Sequence, residues 1–171
     1  MVSEHRPRTA VSDTSSLNYL ILIEEEGILP ALFDRVFVPE AVARELQHET
    51  ESPAAVKEWI RSPPDWLVIR HVAISEPLPE RLHNGEHEAI LLAEELHAGY
   101  LLLDDKWARR EAHQRGLPVV GLIGILEKAD ERGWIDLPET LERLKLTTFR
   151  GSPELYESAI ERSANRKRDP G

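Results

Sequence analysis

Asp13, Glu45, Glu86, Asp104 and Asp105 are the side chains of this 171-residue sequence whose type and placement are suited to chemistry. Each falls at the end of an apolar run or in a helical pattern, and each alone has a simpler explanation. Asp13 belongs to a turn, Asp13-Thr14-Ser15-Ser16, rich in helix-capping side chains, and Asp104 is placed to cap the helix that follows it. Adjacent carboxylates such as Asp104 and Asp105 nevertheless repel each other unless something cationic or protic compensates them. If several acids gather at one sheet edge with no buried lysine among them, a divalent cation is the better explanation. Mg²⁺ and Mn²⁺ take hard oxygen ligands and retain waters, so a loose set of Asp and Glu is sufficient. Such an ion acidifies a bound water and stabilises charge on a phosphoryl oxygen, which points to phosphodiester hydrolysis. Lys106, Arg109 and Arg110 follow the aspartates on a helical pattern and could hold a phosphate backbone, with Ser15 grouped beside them; the simpler reading is a solvated helix face paired with Glu111. His83 and His87 straddle a helix start and lack the one-face spacing of a zinc pair.

The elements that must position these acids alternate in type. Thr9 to Ser12 reads as a strand ahead of Asp13, then a helix from Leu17 to Glu26 stopped by Gly27, and a short helix from Leu29 to Phe33. Arg35 to Val38 is a second strand, and Pro39 opens a helix in which Glu45 lies off the apolar face of Val42 and Leu46. Helix 53–61, strand 66–69 and a proline-bearing connector 75–82 follow. Residues 86–98 form a helix stopped by Gly99, and Tyr100 to Leu103 an apolar strand buried on both faces, ending at the two aspartates. A helix from Lys106 to Gln114, a strand 117–120 and a helix opened by Gly121 complete the pattern of a parallel sheet covered on both faces. The carboxyl edge of such a sheet is where ligands bind.

The last third differs, with helices over 137–145 and 152–165 and a basic tail, Arg166-Lys167-Arg168, expected to be solvated. The expected division is a flexible terminus 1–8, a main domain 9–135, helices 136–165 packed on it, and a flexible tail 166–171. With 41% apolar residues the chain suits one globular unit. It has no cysteine, which excludes disulfides, thiolate zinc sites and cysteine nucleophiles. No apolar run approaches the roughly 20 residues that cross a bilayer and the polar start lacks a secretory pattern, so a cytoplasmic protein is expected. A net charge of −10 argues against a broad nucleic-acid footprint but leaves room for a local basic rim.

Other phosphate chemistries fail on specific residues. No glycine-rich loop ends in Gly-Lys-Ser/Thr. A haloacid-dehalogenase-type phosphatase would need a second aspartate at Ser15, and the separate lysine of a receiver domain has no counterpart, because Lys106 directly follows Asp105. Four segments together resemble a known family: VSDTSSL at 11–17, VPEAVAREL at 38–46, GEHEAI at 85–90 and LDDKWAR at 103–109. They look like the PIN-domain fold and, more narrowly, like a VapC-like branch of prokaryotic toxin–antitoxin systems, over residues 9 to 160, including Phe149-Arg150-Gly151-Ser152. The resemblance implies a three-layer α/β/α fold with a short parallel sheet of four or five strands and a carboxyl-terminal helical appendage. It implies a Mg²⁺- or Mn²⁺-dependent endoribonuclease that leaves a 5′-phosphate and a 3′-hydroxyl, and a homodimer inhibited by a small antitoxin. By the same resemblance Asp13, Glu45, Glu86 and Asp105 are the catalytic metal ligands, with Asp104 competing for the last place. Glu86 departs from the Asp of many relatives and carries its carboxylate one methylene further out. The alternatives are a non-catalytic protein- or RNA-binding module of the same fold, or a small-molecule phosphatase.

Overall fold

A computed structural model describes residues 7–169 and residue 171. Of the stretch 1–8, residues 1–6 lie outside the described residues, while the Arg8 N–H donates to Asp34 Oδ2 at 2.7 Å. The chain forms two compact units, one ending at Val120 and one running from Gly121 to Gly171.

The first unit is built on strands β1 (Thr9–Ser12), β2 (Arg35–Pro39), β3 (Leu67–Arg70), β4 (Tyr100–Leu102) and β5 (Val119–Val120), and helices α1 (Thr14–Leu22), α2 (Ile28–Leu32), α3 (Glu40–Leu46), α4 (Ala54–Arg61), α5 (Asn84–Glu95) and α6 (Lys106–Gln114). The strands form one all-parallel sheet in the order β3-β2-β1-β4-β5. This is the three-layer α/β arrangement. Side chains alternate between faces along a strand, yet Ala10 and Val11, and Leu101 and Leu102, are all fully buried, so the sheet centre is covered on both sides. At the β3 edge that covering is lost: Val68 and Ile69 are each 39% exposed.

Two helices stop earlier than their glycines suggest. α1 ends at Leu22 rather than Glu26, and α5 at Glu95 rather than Ala98. The left-handed residues that close these turns are Glu24 (φ 57°) and His97 (φ 47°), not Gly27 or Gly99. Tertiary packing outweighs a cost of roughly 1 kcal/mol at each of these side-chain-bearing residues. After α6 the usual rule holds, with Gly116 at φ 70°.

Between β3 and α5 the proline-bearing connector is mostly exposed yet anchored at several points. Val72 and Leu82 are buried, Glu76 accepts from Arg115 and lies 3.4 Å from the buried His87, and the Arg81 guanidinium sits 4.0 Å above the Trp107 ring. Arg115 also bonds Glu111 at 2.8 Å and Glu94 at 3.0 Å.

The second unit consists of α7 (Leu122–Glu131), α8 (Leu137–Lys145) and α9 (Pro153–Arg168) around Leu126, Leu137, Leu141, Leu144 and Ala159. Its buried acid is Asp130, which accepts from the Ser163 hydroxyl at 2.5 Å, Lys167 at 3.1 Å and Arg166 at 3.4 Å. These pairs correct the expectation of a free tail from residue 166: α9 continues to Arg168 because two of the tail's cations find a buried carboxylate. Pro170 lies outside the described residues. No helix among the described residues is long and apolar enough to cross a membrane.

Candidate active site

From β1 the chain steps outward to β2 and β3, then returns to the other side of β1 to form β4. The gap between β1 and β4 is thus the place where the strand order reverses, and there the carboxyl ends of the strands open a crevice. Ser12 lies opposite Leu102, and the Asp13 N–H donates to the Leu102 carbonyl at 3.1 Å. Asp13 therefore leaves the sheet beside Leu103, with Asp104 one residue further on.

Asp13 is only 1% exposed and is the N-cap of α1, its Oδ1 accepting from the Ser16 N–H at 2.9 Å. The Ser16 hydroxyl donates to Asp104 Oδ2 at 3.4 Å and also bonds Asp13, so it spans the two carboxylates. Burial pushes the Asp13 carboxyl up to about 7, against the Ser16 bonds, and the negative charges of Asp104 and Glu86 add to the rise.

Glu45, near the end of α3, accepts from the Gly85 N–H at 2.9 Å through Oε1 and from the Thr14 hydroxyl through Oε2. The starts of α1 and α5 and the end of α3 meet there, with no room for a side chain on Gly85. A Cβ would stand 2.8 Å from Thr14 Oγ1, closer than real Cβ atoms come, and a tight 3.0 Å from Glu45 Cδ. Glu86, the third residue of α5, closes a capping box by accepting from the His83 N–H at 2.9 Å. Its carboxyl is raised by burial and then by Asp105 and Glu45, while the His83 N–H opposes the rise.

The helix cap after β4 is Asp105 rather than Asp104: its Oδ1 accepts from the Trp107 N–H at 2.8 Å and the Ala108 N–H at 3.0 Å. Capping and clustering therefore coexist. Three acids cap helices, and like-charge interactions join all five, Asp13 with Asp104 and Glu86, and Glu86 with Asp105 and Glu45. Ser15, grouped with Lys106, Arg109 and Arg110 as a substrate-binding candidate, takes no part in these bonds, whereas Thr14 and Ser16 do. Sequence reading could weigh neither, because their partners lie 31 and 88 residues away.

As a donor set these groups fit a hard divalent cation: all are carboxylates, and one is buried against its own charge. A carboxylate oxygen accepts more than one bond, so a helix cap does not use up a ligand. Among the described residues no three His, Asp or Glu side chains close on one point. Mg²⁺ needs no such cage, since it is commonly held by one or two carboxylates, waters and substrate phosphates.

Beside the acids stand the cations of α6. Lys106 and Arg110 are exposed and Arg109 half-buried, its guanidinium donating to the Leu103 carbonyl at 3.2 Å. The solvated-face reading had paired this helix face with Glu111, but Glu111 bonds Arg115 instead. Among the described residues none of the three cations forms an ion pair.

Fold and site together define a parallel α/β protein with an acidic crevice at the reversal of its strand order. A family profile described as DUF3368, PIN domain, matches residues 9–165, and the chain belongs to that family. Among solved structures it is similar to a PilT N-terminus domain protein, SSO1118, from the hyperthermophilic archaeon Sulfolobus solfataricus P2. That likeness spans 71% of this chain and 92% of the other at 18% identity, with a TM-score of 0.48, too distant to carry an argument. No curated protein matches.

Proposed function

We propose that this PIN-domain protein is a Mg²⁺- or Mn²⁺-dependent endoribonuclease. The observation that carries the reading is Asp13, buried at the reversal of strand order with its negative charge opposed by burial and by neighbouring acids, beside a helix face of unpaired cations. Five acids repel a polyanion unless their charge is offset, and among the described residues no lysine or arginine lies within hydrogen-bonding distance of Asp13. Asp13, Glu86, Asp104 and Asp105, with Glu45 adding charge, would hold the ion. When bound, it supplies acidification of water and charge neutralisation at a phosphoryl oxygen.

The chain's own groups do the positioning. Ser16 spaces Asp13 from Asp104, and Thr14 with the Gly85 N–H fixes Glu45. Arg109, tied to the end of β4, and Lys106 and Arg110 beside it orient the phosphate backbone. On the resemblance of its motifs, the protein acts in the cytoplasm as the toxin of a toxin–antitoxin pair, a homodimer restrained by a small antitoxin protein.

Cleavage of single-stranded RNA by the purified protein in Mn²⁺ tests the enzyme. Asp13→Asn and Asp105→Asn should each abolish it while leaving the fold intact by circular dichroism, and activity that survives both changes removes the reading. A second reading, a non-catalytic RNA- or protein-binding module, is favoured by the tie of Glu86 to its capping box. Calorimetric titration with Mn²⁺ separates the two, because a pure binding module takes up no ion that Asp13→Asn eliminates.

A further inference from the structure

In a protein of net charge −10, one face of α6 runs against the trend. Lys106, Arg109, Arg110 and His113 recur at the spacing that puts side chains on one helix face, with Gln114 one turn beyond Arg110. With Asp104 they line an open cleft of about 640 Å³. Glu111 and Arg115, the other charged residues at this end of the helix, satisfy each other on a different face, so they do not neutralise the stripe. The stripe is also graded. The three cations occupy the half of the stripe nearer the acids, from Lys106 to Arg110, and the half beyond, ending about 12 Å from Lys106 at 1.5 Å rise per residue, carries His113 and Gln114.

We propose that this face of α6 is a track for single-stranded RNA, in which Lys106, Arg109 and Arg110 neutralise consecutive phosphates and His113 and Gln114 contact the 2′-hydroxyl of a nucleotide displaced from the cut. The assignment rests on the nuclease reading and adds to it a direction, a length and a reason for choosing RNA. A phosphate track fixes the strand without distinguishing sugars. A 2′-hydroxyl both donates and accepts hydrogen bonds, and it is the group by which a protein tells RNA from DNA. Gln114 carries both an amide donor and a carbonyl acceptor, and a neutral imidazole on His113 likewise offers one of each. At the far end such groups serve a sugar better than they serve a phosphate.

Binding is measured by fluorescence anisotropy on the full chain in a chelator, so that nothing is cut, with a labelled oligouridylate and its all-deoxy counterpart over a range of KCl. Three neutralised phosphates predict a slope of log affinity on log salt of about −2 for a single strand, and Lys106→Gln or Arg110→Gln should each reduce it by about 0.7. His113→Ala with Gln114→Ala should leave that slope in place and abolish the preference for the ribo-oligomer. Both substituted positions are exposed, and circular dichroism checks that the fold is kept. A slope unmoved by Lys106→Gln and Arg110→Gln overturns the track, as does a ribose preference that survives the double change, or a polyglutamate that competes as well as RNA. Failure of the track is distinguishable from failure of the nuclease: cleavage in Mn²⁺ with a slope indifferent to α6 sinks only the track. RNA bound as described but never cut sinks the nuclease and leaves the track standing.

Discussion

Replacing Asp13 with asparagine should stabilise the metal-free protein while removing its function. The Asp13 carboxyl, ordinarily near 3.8, is raised to about 7 by burial and by the charges of Asp104 and Glu86. At about 1.4 kcal/mol per pH unit, that rise corresponds to roughly 4 kcal/mol by which the folded state opposes ionisation. Asparagine keeps the shape and can still accept from the Ser16 N–H as a helix cap, so little offsets the gain. The pH window follows from the direction of the rise. Between about 4 and 7 the folded chain holds a proton that the unfolded chain has released, so this carboxyl lowers wild-type stability progressively as pH rises through the window. Below about pH 3 both states are protonated and the difference between wild type and Asp13→Asn should vanish, whereas above pH 7 it should reach its full size. Urea unfolding of both proteins in a chelator, at about pH 4.5, 6 and 8, reads this out directly. Adding Mg²⁺ at 100 times its dissociation constant should then stabilise the wild type by about 2.7 kcal/mol and the variant by much less. The argument fails if Asp13→Asn is no more stable than wild type at the highest pH, or if its advantage does not change with pH.

Gly85→Ala should cost activity out of proportion to stability. Its methyl group collides with Glu45 and Thr14, side chains that can move aside, so we expect a loss of roughly 1 kcal/mol in urea unfolding together with a clear drop in RNA cleavage; full activity would show that the position of Glu45 is immaterial. In the second unit, Asp130→Ala removes the acceptor shared by Ser163, Arg166 and Lys167, and roughly 1 to 3 kcal/mol of stability should go with it. Burial opposes its charge, but Ser163 and Lys167 prevail and hold the Asp130 carboxyl below its usual range. Its contribution is therefore present above the ordinary carboxylate pKa and lost as pH falls through the lowered one, so hydrogen-exchange protection factors, corrected for the intrinsic rate, should fall in acid in the last turns of wild-type α9. Exchange at 163–168 that is unchanged by Asp130→Ala would refute this anchoring.

Periodicity and end signals are local, and they are enough to specify the strand–helix alternation, the buried character of Leu101 to Leu103, and the aspartates at the ends of the apolar runs of β1 and β4. Whatever depends on which of several neighbours a group meets was decided by the tertiary structure. Asp105 rather than Asp104 caps α6, because the residue that clears the sheet one step later reaches the free N–H groups of the helix. Glu111 turned to Arg115 and left the α6 cations unpaired, Thr14 and Ser16 rather than Ser15 joined the acids, and Glu24 and His97 took left-handed turns that glycines nearby were free to supply. The strand order itself, with its reversal between β1 and β4, depends on pairings between residues some ninety positions apart, such as Ser12 with Leu102, and no local pattern encodes it. The acids could be read as candidates one at a time. Only the packed sheet put Asp13 out of reach of water and beside the charges that press on it.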